Sequence, residues 1–266
     1  METYAQILDK IKKNKFVVYG AGGHGQKFVK AIAQMGYGNN FVGFVVTERQ
    51  AKDGEGIKEI KNIDRNHFVV IAAHDRNSVQ MEDTLKNLGF TQYVSIYPYL
   101  IDFCCGTSYL KNQTVCVKDI FFDCLNRYCF YSAYPVVVYL AIDYIMEKNN
   151  VGKNLYFKLI GKYAKEKTSY QRWDALVERT RNYSINRVPE PFAVKINPVQ
   201  RFVLDGYHRI VLSKYFGITD ILADFYDTDF DKYRDMFWGR DNLMNLFTKE
   251  EADVILKAGK ELGKAG

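Results

Sequence analysis

The stretch Phe202-Val203-Leu204-Asp205-Gly206-Tyr207-His208-Arg209, continuing into Ile210-Val211-Leu212, reads as an apolar strand, a tight Asp-Gly turn and an opening helix. Such a turn aims unpaired backbone N–H groups and the positive end of a helix dipole at one point, which suits an anion such as phosphate. The amides around Gly206 and Tyr207 lie at that point. His208 and Arg209 bring side-chain donors to it, and Asp205 offers a carboxylate for a metal ion or a proton. The plainer alternative is a turn before a helix, with Arg209 a surface charge and His208 a capping residue.

A second turn, Gly20-Ala21-Gly22-Gly23-His24-Gly25, sits between an apolar strand and a helix and fits G-x-G-x-x-G at Gly20, Gly22 and Gly25. Its glycines, Gly23 included, let a pyrophosphate approach the backbone. His24 either touches a phosphate or sugar or is satisfied by nearby backbone. NAD would call for an acidic residue at the end of the second strand. That strand ends Val45-Val46-Thr47-Glu48, so the only carboxylate comes slightly late and NAD is not favoured. Two phosphate-seeking turns point to nucleotide chemistry.

The elements that hold these turns follow from hydrophobic spacing. Tyr4, Ile7, Leu8 and Ile11 mark a helix, and Phe16–Tyr19 a short strand. Phe28, Val29, Ile32 and Met35 share a helical face. Strands are expected over Phe41–Val46, His67–Ala73 and Tyr93–Ile96, with a helix over Val79–Leu88. Near-continuous apolar strands alternating with helices indicate a parallel sheet covered on both faces. Residues 101–150 are expected to form a helical, cysteine-containing connector, with helices near Phe121–Phe130 and from Pro135 to Lys148. In the last part Ser169 is expected to cap a helix through Thr180, and Pro189-Glu190-Pro191 to break the chain. Phe192–Ile196 and Arg201–Leu204 form a hairpin around Asn197-Pro198. The motif helix ends at Gly217, a strand follows over Ile221–Phe225, and a helix over Lys249–Leu262. The expected organisation is residues 1–100, 101–150 and 151–266.

Bulk properties narrow the class. The chain has 266 residues, 47% hydrophobic and 26% charged, the balance of a folded globular protein. The net charge of +6 is too modest to demand DNA. Its excess lies at Lys153, Lys158, Lys162, Lys165, Lys167, Arg172, Arg179 and Arg181, against Glu166, Asp174 and Glu178. This is a solvated basic face or an attractor of polyanionic ligands. All five cysteines, Cys104, Cys105, Cys116, Cys124 and Cys129, fall in one window without a Cys-x-x-Cys pair. Buried, reduced thiols in a cytoplasm are expected, with no zinc ribbon and no signal peptide. Tyr131–Met146 is apolar but carries Pro135 and Asp143 and is too short to span a membrane.

The N-terminal residues Tyr19–Gly25, Gly43-Phe44-Val45, Val70–Ala73, Leu88-Gly89-Phe90 and Tyr93-Val94 resemble the nucleotide-sugar-binding domain of bacterial sugar acyltransferases. The resemblance covers about the first hundred residues. It implies a Rossmann-like sheet holding a UDP-sugar. Acyl transfer is not implied, because the chain has no hexapeptide repeat. Val46-Thr47 departs from the family's acidic residues, which leaves open a scaffold for docking or homo-oligomerisation.

Asp205-Gly206-Tyr207-His208-Arg209, with the upstream helix, Pro-Glu-Pro break and hairpin, resembles the ParB/sulfiredoxin-like superfamily over roughly residues 165–227. That resemblance implies an α+β domain whose motif turn cradles nucleotide phosphates. Tyr207 stands where sulfiredoxins place their cysteine, which removes thiolate chemistry. The free-serine-kinase branch, with Asp-Gly-His-His-Arg, is closer. It implies ATP with Mg²⁺, Asp205 binding the ion or positioning the acceptor hydroxyl, and His208 and Arg209 steadying phosphoryl oxygens. Glu190 is the first candidate for the base, Glu178 the second, and Arg172 can reach a phosphate. The expected function is a nucleotide-dependent kinase acting on a small hydroxyl compound or sugar in surface-glycan assembly. The alternatives are a non-catalytic nucleotide or nucleotide-sugar binder, or a ParB-like DNA-associated factor, which the lack of a DNA-reading motif disfavours.

Overall fold

The structure is a computed structural model that describes residues 2–50, 54–120, 129–162, 166–200, 202–237 and 243–264. The chain divides into two compact units, Met1–Thr107 and Ser108–Gly266. The expected connector is therefore shared out between them. Residues 101–107 belong to the first unit, and residues 110–116 and 129–145 contribute to the sheet and core of the second.

The first unit runs α1 (Tyr4–Lys13), β1 (Phe16–Tyr19), α2 (Gly23–Gln34), β2 (Phe41–Val46), β3 (Lys58–Glu59), β4 (Phe68–Ile71), α3 (Asp75–Asn87), β5 (Tyr93–Ser95) and α4 (Leu100–Cys105). Thr3 starts α1 with a reciprocal cap. Its hydroxyl accepts from the Gln6 amide, and the Gln6 side chain accepts from the Thr3 amide. The five strands are parallel, in the order β3-β2-β1-β4-β5. Helices cover both faces of the centre, so all residues of β1 and β4 are buried. Val17, Tyr19, Val69 and Ile71 pack with Leu85 and Phe90 on one face. On the other, Phe28 meets Phe16 and Phe103 edge-on. Cys104 and Cys105 are buried in α4. The unit is a Rossmann-like α/β sheet.

The second unit runs β6 (Leu110–Cys116), α5 (Cys129–Ile145), α6 (Gly152–Gly161), α7 (Glu166–Asn186), β7 (Val194–Asn197), β8 (Phe202–Asp205), α8 (Tyr207–Tyr215), β9 (Asp220–Phe225), α9 (Phe230–Phe237) and α10 (Lys249–Lys264). Its sheet has the order β6-β9-β7-β8, with β7 parallel to β9 and the other pairs antiparallel. The β7–β8 hairpin turns where expected, because the Asn197 side-chain oxygen accepts from the amides of Val199 and Gln200.

Helix α5 is the axis of this unit. Ala133, Val136, Val137, Val138, Leu140, Ala141 and Ile142 are all buried, and the helix packs against α6, α7, α8 and α10. A Cβ on Gly152 would sit 1.9 Å from the Leu140 carbonyl oxygen, so only glycine lets α6 start this close to α5. Among the described residues no helix is long and apolar enough to cross a membrane.

Two local expectations are corrected. Pro135 lies inside α5 rather than at its start, the helix beginning at Cys129. Most of the expected helix near Phe121–Phe130 lies outside the described residues. Ser169 is a buried residue within α7, which begins at Glu166, so it is no cap. Strand β6 was not expected. It is mostly exposed and polar, and it is a strand because β9 supplies its hydrogen bonds.

Candidate functional site

The second unit gathers the chemistry around the start of α8. Gly206 has φ +102°, and a Cβ there would lie 2.6 Å from Val194 Cγ1. The turn therefore needs glycine for its conformation and for room. It carries the chain from β8 into α8, whose first amides have no acceptor within the helix. Asp205 ends β8 with its side chain 58% exposed, and its carboxylate is 3.8 Å from Arg209. Arg209 is largely buried and donates to the carbonyls of Phe192 (2.6 Å) and Ala193 (3.1 Å). It thus ties the Pro189–Phe192 segment to the motif turn.

Tyr207 faces inward. It is buried, its hydroxyl donates to the Val203 carbonyl at 2.6 Å, and its ring meets Tyr134 edge-on at 5.5 Å. Any part it takes in ligand binding falls to its backbone.

His208 points into an aromatic and cationic surround. Tyr134 meets its ring edge-on, and the Tyr156 hydroxyl is 3.3 Å from Nε2. Burial and the positive charges of Arg179, Arg172 and Arg209 pull the imidazole down to about 3. The residue keeps some solvent-facing surface, but the ring packing and three guanidiniums govern its proton. Tyr156 is pushed up, mainly by burial, so it stays protonated at neutral pH.

Helix α7 delivers two of those arginines. Its buried stripe is Ser169, Trp173, Leu176, Thr180 and Tyr183. Arg172 and Arg179 precede Trp173 and Thr180, so both lie along the border of the stripe, two turns apart. Arg179 Nε pairs with Glu190 Oε1 at 3.0 Å, and the Glu190 amide donates to the Tyr183 hydroxyl at 3.1 Å. Glu190 is held by backbone and carboxylate alike. Beside it opens a cleft of about 440 Å³ lined by Arg179, Asn182, Tyr183, Asn186, Val188 and Glu190. Glu178 is exposed on α7 and is not among these lining residues.

Asp205, His208, Arg209, Arg172 and Glu190 are thus linked by contacts or charge interactions within one unit. Tyr156, Tyr134 and the two asparagines are additions that the sequence did not single out, and Arg179 stood out there only as one member of a basic run. The seven-residue spacing of Arg172 and Arg179 was the available signal. The tyrosines gave none, since their partners are distant in sequence.

No group of three or more His, Cys, Asp or Glu suited to a metal occurs among the described residues. A Mg²⁺ brought in on nucleotide phosphates needs only one or two protein carboxylates, and the exposed Asp205 fits that demand.

In the first unit the glycines divide the labour. Gly20 has φ +113° and donates its amide to the Val45 carbonyl at 2.9 Å. A Cβ on Gly25 would lie 2.1 Å from the Gly20 carbonyl oxygen, so Gly25 lets α2 start against the turn. Gly22 and Gly23 face open space, where a Cβ would meet nothing within 4 Å. The turn lies where the strand order reverses, between β1 and β4. His24 and His74 flank the Tyr97 ring there, with centroids at 5.4 and 4.7 Å. Glu48 is exposed, two residues beyond the end of β2.

Comparison with protein-family models, with curated proteins and with solved structures finds no match.

Proposed function

We propose that the second unit is a nucleotide-dependent phosphotransferase, a kinase that moves the terminal phosphoryl group of ATP to the hydroxyl of a small acceptor. The observation that carries this reading is a helix start after an Asp-Gly turn, with the exposed Asp205 carboxylate 3.8 Å from Arg209 and the positive charge of Arg172, Arg179 and Arg209 felt at His208. Phosphoryl transfer asks for positioning and charge neutralisation more than for covalent participation by the protein. Guanidiniums suit it because their fork matches phosphate oxygens.

In this reading Arg172 and the first amides of α8, beginning at Tyr207 after the Gly206 turn, hold the nucleotide phosphates. Arg209 keeps the turn and the Glu190 segment in register. His208 is neutral at physiological pH and serves as a hydrogen-bonding group rather than a cation. Asp205 would hold Mg²⁺, which when bound adds positive charge to the phosphates. Glu190 takes the acceptor's proton. The fold order helix, hairpin, Asp-Gly turn and helix also accords with a ParB/sulfiredoxin-like domain, and the Asp-Gly-x-His-Arg turn with its kinase branch.

The test is ATP consumption against a range of amino acids and sugars. Asp205→Ala and Arg172→Gln are each expected to lower turnover about 10²- to 10³-fold, the range for lost charge stabilisation. Turnover unchanged in both removes the site.

A second reading concerns the first unit. The open space at Gly22 and Gly23 at the sheet's reversal point favours a nucleotide or nucleotide-sugar there. A UDP-sugar suits it better than NAD, because Glu48 lies past the position that would hold a ribose. Saturable UDP-sugar binding that survives Asp205→Ala would support it.

A further inference from the structure

We propose that the cleft beside Glu190 receives the acceptor, and that the acceptor is an uncharged polyhydroxylated ring, a monosaccharide; this rests on the phosphotransferase reading above. The cleft's volume of about 440 Å³ falls within the roughly 300–1,000 Å³ of small-molecule sites.

Its charges cancel. Arg179 and Glu190 are the cleft's cation and anion, and they are paired with each other at 3.0 Å. A substrate carboxylate or ammonium would have to compete with that pair, whereas a neutral hydroxyl does not. Asn182 and Asn186 stand one turn apart on α7 and present two carboxamides to the cleft. Each amide both donates and accepts, which matches the double character of a sugar hydroxyl. Val188 is 64% exposed at the cleft and gives the C–H face of a ring an apolar surface.

Glu190 supplies the proton acceptor. A carboxylate has four lone-pair sites, so the contact with Arg179 leaves capacity for an acceptor hydroxyl. The sugar oxygen attacks the terminal phosphorus of a nucleoside triphosphate. The new P–O bond forms as the bond to the bridging oxygen breaks. Nucleoside diphosphate leaves, and the hydroxyl proton passes to Glu190 and on to solvent.

Ligand-observed NMR titrations of the full chain test this with D-glucose, D-galactose, D-mannose and N-acetyl-D-glucosamine, against L-serine and D-gluconate. At least one neutral sugar should bind more tightly than serine or gluconate. Asn182→Ala and Asn186→Ala should each weaken that sugar about 3- to 10-fold, the loss of one hydrogen bond. Both positions are exposed, and ATP affinity measured in the same variants should stay unchanged, which also reports that they fold. Serine or gluconate binding as tightly as the best sugar overturns the proposal. So does the absence of sugar binding, or sugar binding indifferent to both variants. ATP bound without sugar sinks the sugar assignment and leaves the phosphotransferase reading standing. Sugar bound without ATP supports the ligand class of the cleft and sinks that reading.

Discussion

The Tyr156 hydroxyl lies 3.3 Å from His208 Nε2, and both groups are held neutral. Burial raises the phenol, while burial and three guanidiniums lower the imidazole to about 3. The folded protein therefore refuses a proton that the unfolded chain, with an ordinary histidine near about 6.5, accepts. Above about pH 6.5 neither state carries it and the full stability is present. As pH falls from there toward about 3, stability declines by up to about 1.4 kcal/mol per unit. His208→Gln removes this proton, so urea midpoints measured across that window should fall less steeply than in the unaltered chain. Equal slopes would mean that His208 titrates normally.

The same imidazole reports on ligand. Polyphosphate held by Arg172 and the first amides of α8 brings negative charge toward the imidazole, so the pKa of His208 should rise when ATP binds. Arg172→Gln should also raise it without ligand, and should weaken ATP. An NMR titration of the histidine ring protons checks both shifts. A pKa unmoved by saturating ATP would place the nucleotide elsewhere.

The glycines of the first turn separate folding from binding. Gly25→Ala forces a Cβ to within 2.1 Å of the Gly20 carbonyl, and α2 must shift. A loss of about 1–3 kcal/mol is expected in denaturant melts. Gly22 has φ −75° and open space around it, so Gly22→Ala should cost no more than about 1 kcal/mol, the difference between glycine and alanine at a helix N-cap. Its methyl group would still obstruct a phosphate lying on the backbone. Loss of UDP-sugar binding in Gly22→Ala with the fold retained is the expected result. Retained binding would show that the ligand does not touch this turn.

Gly206 and Tyr207 make a similar pair in the motif turn. Gly206→Ala combines φ +102° with a Cβ 2.6 Å from Val194, and should destabilise by about 1–3 kcal/mol. Tyr207→Phe loses one buried hydrogen bond to Val203 and should cost about 1 kcal/mol. It should leave ATP affinity intact, because the hydroxyl is already used in the core. A sharp fall in ATP affinity on removing that hydroxyl would return the Tyr207 side chain to the binding site.

Local patterning determined most of the elements in this chain. Phe16–Tyr19, Phe41–Val46 and the glycine turn announced strand, turn and helix, because an apolar run and a Gly-rich break need only their neighbours to be read. Asp205-Gly206 marked the second turn on the same grounds. Long-range pairing decided the rest. Leu110–Cys116 is polar and exposed, and becomes a strand only against β9. Pro135 looked like a helix start, yet α5 extends on both sides of it in the core of the second unit. Only packing brought Tyr156, on α6, to His208, on α8, and set Arg179 against Glu190. Burial and three guanidiniums keep the imidazole neutral, and the Arg179–Glu190 pair lines the cleft. Sequence spacing carries backbone preference over a few residues, whereas charge and burial depend on whichever distant elements fold together.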